Sequence, residues 1–444
     1  MSYNDDINEL FSTEGFSRKE ITRLAFESGF CKRKSGKIDA SDFLLHFCLH
    51  SLKGTVSYND IAAKVEAQTG INASRQAYHQ RMGDPCVVFF EKVLETVINS
   101  KYPAKNVDEL AEARKFTRIL VQDSTIIRLP LRLFDIFSGV KNAHTSVCNA
   151  RIQGVYDLIA RKFIKFSIDS YKKNDLSVTL DMPVEPGDLV LRDRGYFNVR
   201  AMKTFKEKGA DTINRYKHKT TLFDTESGEE INLLEYLKKH GSIDEIVLAG
   251  SEEKYKVRII AKPVNEETSN LRRMKAKKES KGKNPSKKLL ELMSWSIFVT
   301  TITDPEISFE TILLLYGFRW RIENIFKTWK SNFSFDTIHN VSARQLHVLL
   351  TARLIMITFI NHKIFNPLWK KINKVSGKSL SMMKFMRYIQ KNLDVMPRLV
   401  NIENISERSM KAMFRFCTYD QRKRSNFETT FELVLSKEFF NAIP

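Results

Sequence analysis

Apolar and polar positions follow two rhythms along this chain, and the change between them marks its organisation. Residues 115–125 (KFTRILVQDST), 150–160 and 162–169 are short runs rich in apolar and β-branched side chains, which read as strands; the last two predict a hairpin. A polar segment over 171–180 begins a crossover, and 188–193 (DLVLRD) then reads as a buried strand. A helical run over 198–209 and a further strand over 211–217 follow. A strand-rich block followed by alternating β and α predicts a mixed sheet flanked by helices. Residues 1–105 read as mostly helical, and 339–444 as helical, basic and rich in Phe and Met. Between these lie 218–302, alternating polar and β-branched residues around DEIVL and YKVRII, and a strand over 296–301 leading to a long helix from Ile307. The expected layout is a helical N-terminal domain (1–105), a mixed α/β core in two parts (106–217 and 303–338), a β-rich basic insertion (218–302) and a helical C-terminal domain (339–444). No internal repeat is visible.

Within the N-terminal part, residues 57–81 have the pattern of a helix-turn-helix. Ser57 and Asp60 can cap the first helix in a capping box, Gly70 stands where it must turn, and Asn72 or Ser74 can cap the second. That second helix would display Arg75, Gln76, Tyr78, His79 and Arg81, side chains suited to phosphates and base edges. A plain pair of packed helices with a solvated polar face fits the same pattern.

Composition narrows the partners. The 444 residues are 42% hydrophobic, and 72 Lys and Arg against 52 Asp and Glu give a net charge of +20. Such an excess favours a polyanion, since each phosphate neutralised releases condensed counterions. Nine of the 18 residues 271–288 are Lys or Arg and one is acidic, which suggests a phosphate-tracking segment; Gly282, Asn284, Pro285 and Ser286 make part of it a loop. The longest apolar patch, 349–360, is broken by Thr351 and Arg353, so no bilayer span is expected. The acidic start (MSYNDD) is no signal peptide, and five scattered cysteines without a CxxC pair argue for a reducing compartment rather than zinc or disulfides. A cytoplasmic protein is expected.

The helix from Ile307 carries YGFRWRIENIFKTWK. Steps of three, four and seven residues link Tyr316, Arg319, Glu323 and Lys330, and at about 100° per residue these side chains share one stripe, within roughly 60°. Phe318, Ile322, Ile325 and Trp329 fall opposite and would be buried. By geometry alone this is an ordinary exposed stripe of ion pairs. The spacing Y-x2-R-x3-E-x6-K, however, resembles the signature of DDE transposases of the insertion-sequence-four family, and VQDST around Asp123 and LRDRGYF around Asp193 precede it in that family's order, 70 and 130 residues apart. The similarity covers about residues 115–335.

The resemblance implies a ribonuclease-H-like α/β core interrupted by the insertion, and a DNA transposase that binds terminal inverted repeats, cuts the element free and joins its 3′ ends to target DNA. Asp123, Asp193 and Glu323 would be the catalytic acids and hold Mg²⁺, with Mn²⁺ as a substitute, because displacement at a phosphodiester needs attacking and leaving oxygens stabilised together by hard cations. Double-stranded DNA, both transposon ends and target, would be met by Tyr316, Arg319, Lys330 and Arg194. Arg272, Arg273, Lys275, Lys277 and Lys278 of the basic segment and Arg75 and Gln76 of the helix-turn-helix would contact it too. Trp295, 28 residues before Glu323, stands where relatives stack a flipped base, or is a core Trp at a strand start. Pairing two ends implies a homodimer on DNA, at the nucleoid, with no membrane. A domesticated relative that binds DNA without cutting is the alternative; a two-carboxylate glycosidase fits the charge poorly.

Overall fold

The computed structural model describes residues 17–33, 37–100, 115–139, 147–173, 175–280, 284–305, 307–392, 395–400 and 405–419. The expected 105/106 boundary and Lys281, Gly282 and Lys283 of the basic segment lie outside the described residues. The chain is a mixed α/β protein; among the described residues nine strands follow the order β3-β2-β1-β4-β5-β9-β8-β7-β6. It divides into two compact units.

Unit one comprises residues 1–105, 124–173 and 321–425. Its N-terminal helices are α1 (Arg18–Glu27), α2 (Ala40–Ser51), α3 (Tyr58–Thr69), α4 (Arg75–Gln80) and α5 (Asp84–Asn99). The predicted hairpin is present: β2 (Asn149–Asp157) pairs antiparallel with β3 (Lys162–Ser170). Phe163 of β3 packs on Trp329 at 4.9 Å between ring centroids, an aromatic seam under the sheet. The later helices are α11 (Trp320–Asn332, from Arg321 onward), α12 (Ala343–Phe359), α13 (Asn366–Ser376), α14 (Met382–Lys391), α15 (Met396–Val400) and α16 (Glu407–Cys417). A π-helical turn, Ile360–Phe365, joins α12 to α13.

No membrane span is indicated. The helical run Ala343–Ser376 is long and apolar enough by length and composition, but 94% of its most apolar window is buried within the protein. It is a core helix, packed on α2 and α5. Its Arg353, fully buried, donates to the carbonyls of Ser51, Gly54, Phe335 and Thr337 at 2.6–3.1 Å, so the interruption in the apolar run ties two loops to the core.

Unit two comprises residues 106–123 and 174–320 together with 426–444. Strand β1 (Arg118–Arg128) enters it with residues 118–123, beside β4 (Asp188–Arg192) and β5 (Asp211–Arg215), all three parallel. Helix α6 (Val199–Glu207) joins β4 to β5 and presents Val199, Met202 and Phe205 to the core. β9 (Trp295–Thr300) pairs antiparallel with β5, and β8 (Tyr255–Pro263), β7 (Ile243–Ala249) and β6 (Leu222–Phe223) extend the sheet. One hydrophobic cluster, including Met202, Leu237, Val257, Ile259 and Val299, unites α6 and α7 (Leu233–His240) with these strands. Helices α8 (Glu266–Glu279), α9 (Lys287–Leu292) and α10 (Phe309–Gly317) complete the unit.

The long helix expected from Ile307 is two helices. Ser308 caps α10, accepting from Thr311 N, and α10 stops at Gly317. Phe318 and Arg319 donate to Leu315 and Tyr316, three residues back, at 3.1 and 3.0 Å, a 3₁₀-like tightening before α11 begins at Trp320. Glycine is about 1 kcal/mol worse than Ala within a helix, so Gly317 is where the ladder yields most easily. Tyr316, Arg319, Glu323 and Lys330 therefore do not form one stripe on one helix. Phe318, Ile322, Ile325 and Trp329 are buried, as their spacing predicted.

Candidate active site

Strand register builds the site. Gln122 pairs with Arg192, and Arg192 with Asn214. The next residue on each chain segment, one step past the last paired row, is Asp123, Asp193 and Arg215. Neighbouring strands lie ~4.8 Å apart, and residues in one row point to one face. Arg192 points to the other: it is buried, donates to Thr179 O at 2.7 Å and lies over the Phe205 ring at 4.5 Å. Strand β1 runs on to Arg128, so Asp123 stands where its pairing with β4 stops rather than at the strand's end, as its sequence had suggested. Asp193 caps a short 3₁₀ turn, Arg194–Tyr196.

The tightened turn after α10 serves both carboxylates. Tyr316 donates its hydroxyl to Asp193 Oδ1 at 3.4 Å, and the Arg319 guanidinium stands 3.6 Å from Asp123 Oδ2. Both side chains are buried, 6% and 5% exposed, so neither belongs to a solvated stripe. The Tyr316 ring meets Phe298 edge-on at 5.0 Å, and burial pushes its phenol up to about 12, keeping it a proton donor. Arg319 is flanked by the Tyr316 and Trp320 rings at 5.7 and 5.1 Å.

Sequence reasoning missed Arg215. Half-buried at the end of β5, its guanidinium is pushed below its ordinary value by burial and by Arg194, while Tyr316 and Asp193 act in the opposite sense. A position at the carboxyl end of a parallel strand was the available signal, since ligands in α/β sheets gather there. Arg194 is exposed, and Arg272 is pushed down to about 10 by burial and by Arg215 and Arg194. The three guanidinia thus repel one another, and Arg194 and Arg215 line one pocket, an arrangement suited to an anion.

Arg272 and Arg273 are not part of a solvated arm. Arg272 donates to Trp295 O and Ser296 Oγ, both at 3.0 Å, and Arg273 to Leu290 O at 3.1 Å and Ser294 Oγ at 2.7 Å. They lie on α8, whereas a loop was expected only near 282–286. Lys275, Lys277 and Lys278 are exposed. Trp295 is half-buried against the hydrophobic cluster and donates Nε1–H to Gly241 O at 2.7 Å. It lines a cavity of about 40 Å³ together with Arg194, Arg215 and His218.

In unit one, Glu323 lies in the first turn of α11, partly exposed. Lys330 donates to Ile126 O of β1 at 2.7 Å, and burial holds its ammonium below the usual lysine range. On α4, Ser74 caps the helix and Gly70 takes the left-handed conformation after α3, as expected of the helix-turn-helix pattern. Ser57 accepts from Asp60 N. Arg75, Gln76 and His79 are exposed, but Tyr78 is fully buried and Arg81 donates to Phe30 O at 2.8 Å, so neither is displayed.

Hard carboxylate oxygens on neighbouring strands fit a hard divalent cation. Among the described residues, no group of three or more His, Cys, Asp or Glu side chains is gathered closely enough to hold one ion. The described geometry supplies a pair.

The chain is similar to known transposases. A family model described as Transposase DDE domain matches residues 114–359. The transposase for insertion sequence element IS231B of Bacillus thuringiensis subsp. berliner is 27% identical over 98% of this chain and 96% of its own length. The transposase for insertion sequence element IS1151 of Clostridium perfringens is 26% identical over 79% of each. Among solved structures, a piggyBac transposase synaptic complex with hairpin DNA has a TM-score of 0.46 at 12% identity, over 98% of this chain and 88% of that one.

Proposed function

The chain belongs to the Transposase DDE domain family and is a DNA transposase, and we propose that Asp123, Asp193 and Glu323 are its catalytic acids. The observation that carries the proposal is Asp123, Asp193 and Arg215 one step past the last paired row, with Arg319 and Tyr316 on the two carboxylates. The Y-x2-R-x3-E-x6-K spacing supports the insertion-sequence-four subgroup. Parallel β1, β4 and β5 with the antiparallel β2–β3 hairpin on the other flank of β1 support a ribonuclease-H-like core. Residues 218–302 are then the insertion between its parts, and 1–105 and 339–444 its helical end domains.

Asp123 and Asp193, completed by Glu323, would hold Mg²⁺, or Mn²⁺ in its place. The cations supply charge neutralisation at the phosphodiester and lower the pKa of the attacking hydroxyl or water. The chain's own residues do the rest. Arg319 is placed to exchange its contact with Asp123 for a phosphate oxygen, a charge-assisted bond of greater strength than a neutral one. Tyr316 orients the Asp193 carboxylate. Arg194 and Arg215 neutralise the strand that enters beside Asp193, and Lys330 holds β1 by Ile126 close to Asp123 in sequence. Arg75 and Gln76 read the terminal repeats, and a homodimer forms when two ends are paired, in the nucleoid-bearing cytoplasm.

Single-turnover cleavage of terminal-repeat DNA in Mg²⁺ tests the assignment. Asp123→Ala, Asp193→Ala and Glu323→Ala should each abolish cleavage while end binding is retained. Normal cleavage by any one of them removes that residue from the set.

A further inference from the structure

Helix α8 (Glu266–Glu279) is tied down by one face only. Ser269 is buried, and Arg272 and Arg273 reach back to the β9 junction. At about 100° per residue, the direction opposite these anchors belongs to Leu271, Met274 and Lys278. Leu271 is 61% and Met274 68% exposed, two apolar side chains on the outward crest of an otherwise strongly polar helix. Exposed Lys275, Lys277 and Lys278 surround them, and Glu279, 3.7 Å from Lys275, makes only a weak surface pair with it. Lys287 and Lys288 on α9 add exposed positive charge.

An outward Leu–Met pair ringed by lysines has a matching partner in duplex DNA. The minor groove brings two phosphate rows to the flanks and an apolar stack of bases to the centre, and proteins that bend DNA there insert Leu, Ile, Met or Phe between base pairs. A second copy of this face fits poorly, because self-contact would set the lysines against one another. Resting on the reading of the chain as a DNA transposase, we propose that Leu271 and Met274 form a wedge that enters the minor groove and unstacks one base step. Lys275, Lys277 and Lys278 hold the flanking phosphates. Pyrimidine–purine steps, the easiest to unstack, are the preferred point of entry. The inward arginines hold the helix rigid while its outer face is loaded.

The test uses the full chain and a duplex of about 30 base pairs with a central T-A step, 2-aminopurine at that adenine and a dye at each end. Anisotropy reads binding in the same sample. The wild-type protein should raise 2-aminopurine emission severalfold and bring the dyes closer. Leu271→Ala/Met274→Ala should bind within about threefold of wild type, since the phosphate contacts supply most of the affinity, yet lose both signals. Lys277→Ala/Lys278→Ala should retain the emission change at saturation while flattening the log–log salt slope by about 0.9 per lost contact. Binding by wild type without unstacking, or unstacking that survives in the Leu271→Ala/Met274→Ala protein, overturns the wedge alone. A change in the sedimenting mass of that variant without DNA also overturns it, marking the crest as a contact between copies. Failure of the wild type to bind the duplex at all overturns the DNA reading beneath it as well.

Discussion

Arg319→Ala probes the link between the motif helix and the acids. The guanidinium stands 3.6 Å from Asp123 Oδ2, with the arginine 5% and the Asp123 side chain 17% exposed. With an effective dielectric of about 20 the gross attraction is about 5 kcal/mol. Desolvation of both groups cancels most of it, and the separation is longer than that of a direct charge-assisted hydrogen bond, leaving a net of about 1–2 kcal/mol. The Tyr316 and Trp320 rings add roughly 0.5–1 kcal/mol each as cation–π partners. The variant should therefore lose about 2–4 kcal/mol of stability in chelator. The same net pairing energy opposes any other cation at Asp123, so its removal should tighten Mg²⁺ or Mn²⁺ binding by about tenfold, or 1.4 kcal/mol. Urea denaturation with and without the metal reads both numbers: at saturating metal, the variant should recover about 1.4 kcal/mol more than wild type does. Equal metal-dependent stabilisation in the two proteins would refute the competition between Arg319 and a cation, and a variant as stable as wild type in chelator would refute the pairing itself.

Two further outcomes follow from buried groups. Arg353→Met should lower stability by about 4 kcal/mol in urea denaturation, roughly 1 kcal/mol for each of the four carbonyls left without a donor; a loss under about 1 kcal/mol would show that water replaces the guanidinium. Trp295→Ala should lower stability by about 2–3 kcal/mol and slow end nicking, because the indole packs on the hydrophobic cluster and donates to Gly241 O. A variant as stable as wild type that nicks normally but no longer unstacks a base at the transposon end would instead make Trp295 a base-stacking platform.

Much of the scaffold was legible because strands and helices repeat at different periods. The hairpin β2–β3, buried β4 and the helix after it all lie close to where the apolar spacing placed them. The limits have physical causes. Arg215 carries no local motif; its significance comes from the register of β5 against β4, which no single strand encodes. The inward turn of Arg272 and Arg273 was hidden by composition, since a run of charge does not say which members face the protein. Helical phase does: Ser269, Arg272, Arg273 and Ala276 share a side, and Lys278 lies opposite. Tyr78 illustrates the same point, an aromatic in a polar stretch that belongs to the core.

The break at Gly317–Arg319 is the feature that turns a spacing motif into a site. On one continuous helix, Tyr316 and Arg319 would lie about 60° apart, on one stripe. Shortening two hydrogen bonds to three residues changes that phase and buries both side chains. Their polar ends then reach different carboxylates, Tyr316 to Asp193 and Arg319 to Asp123, on neighbouring strands. A single alanine at Gly317 restores helix propensity worth about 1 kcal/mol and meets no neighbouring atom within 4 Å of the added Cβ. Local packing therefore does not require glycine at this position. What glycine supplies is a cheap place for the ladder to yield, and the return on that yield is a tyrosine and an arginine delivered to two acids that the sheet register had already set side by side.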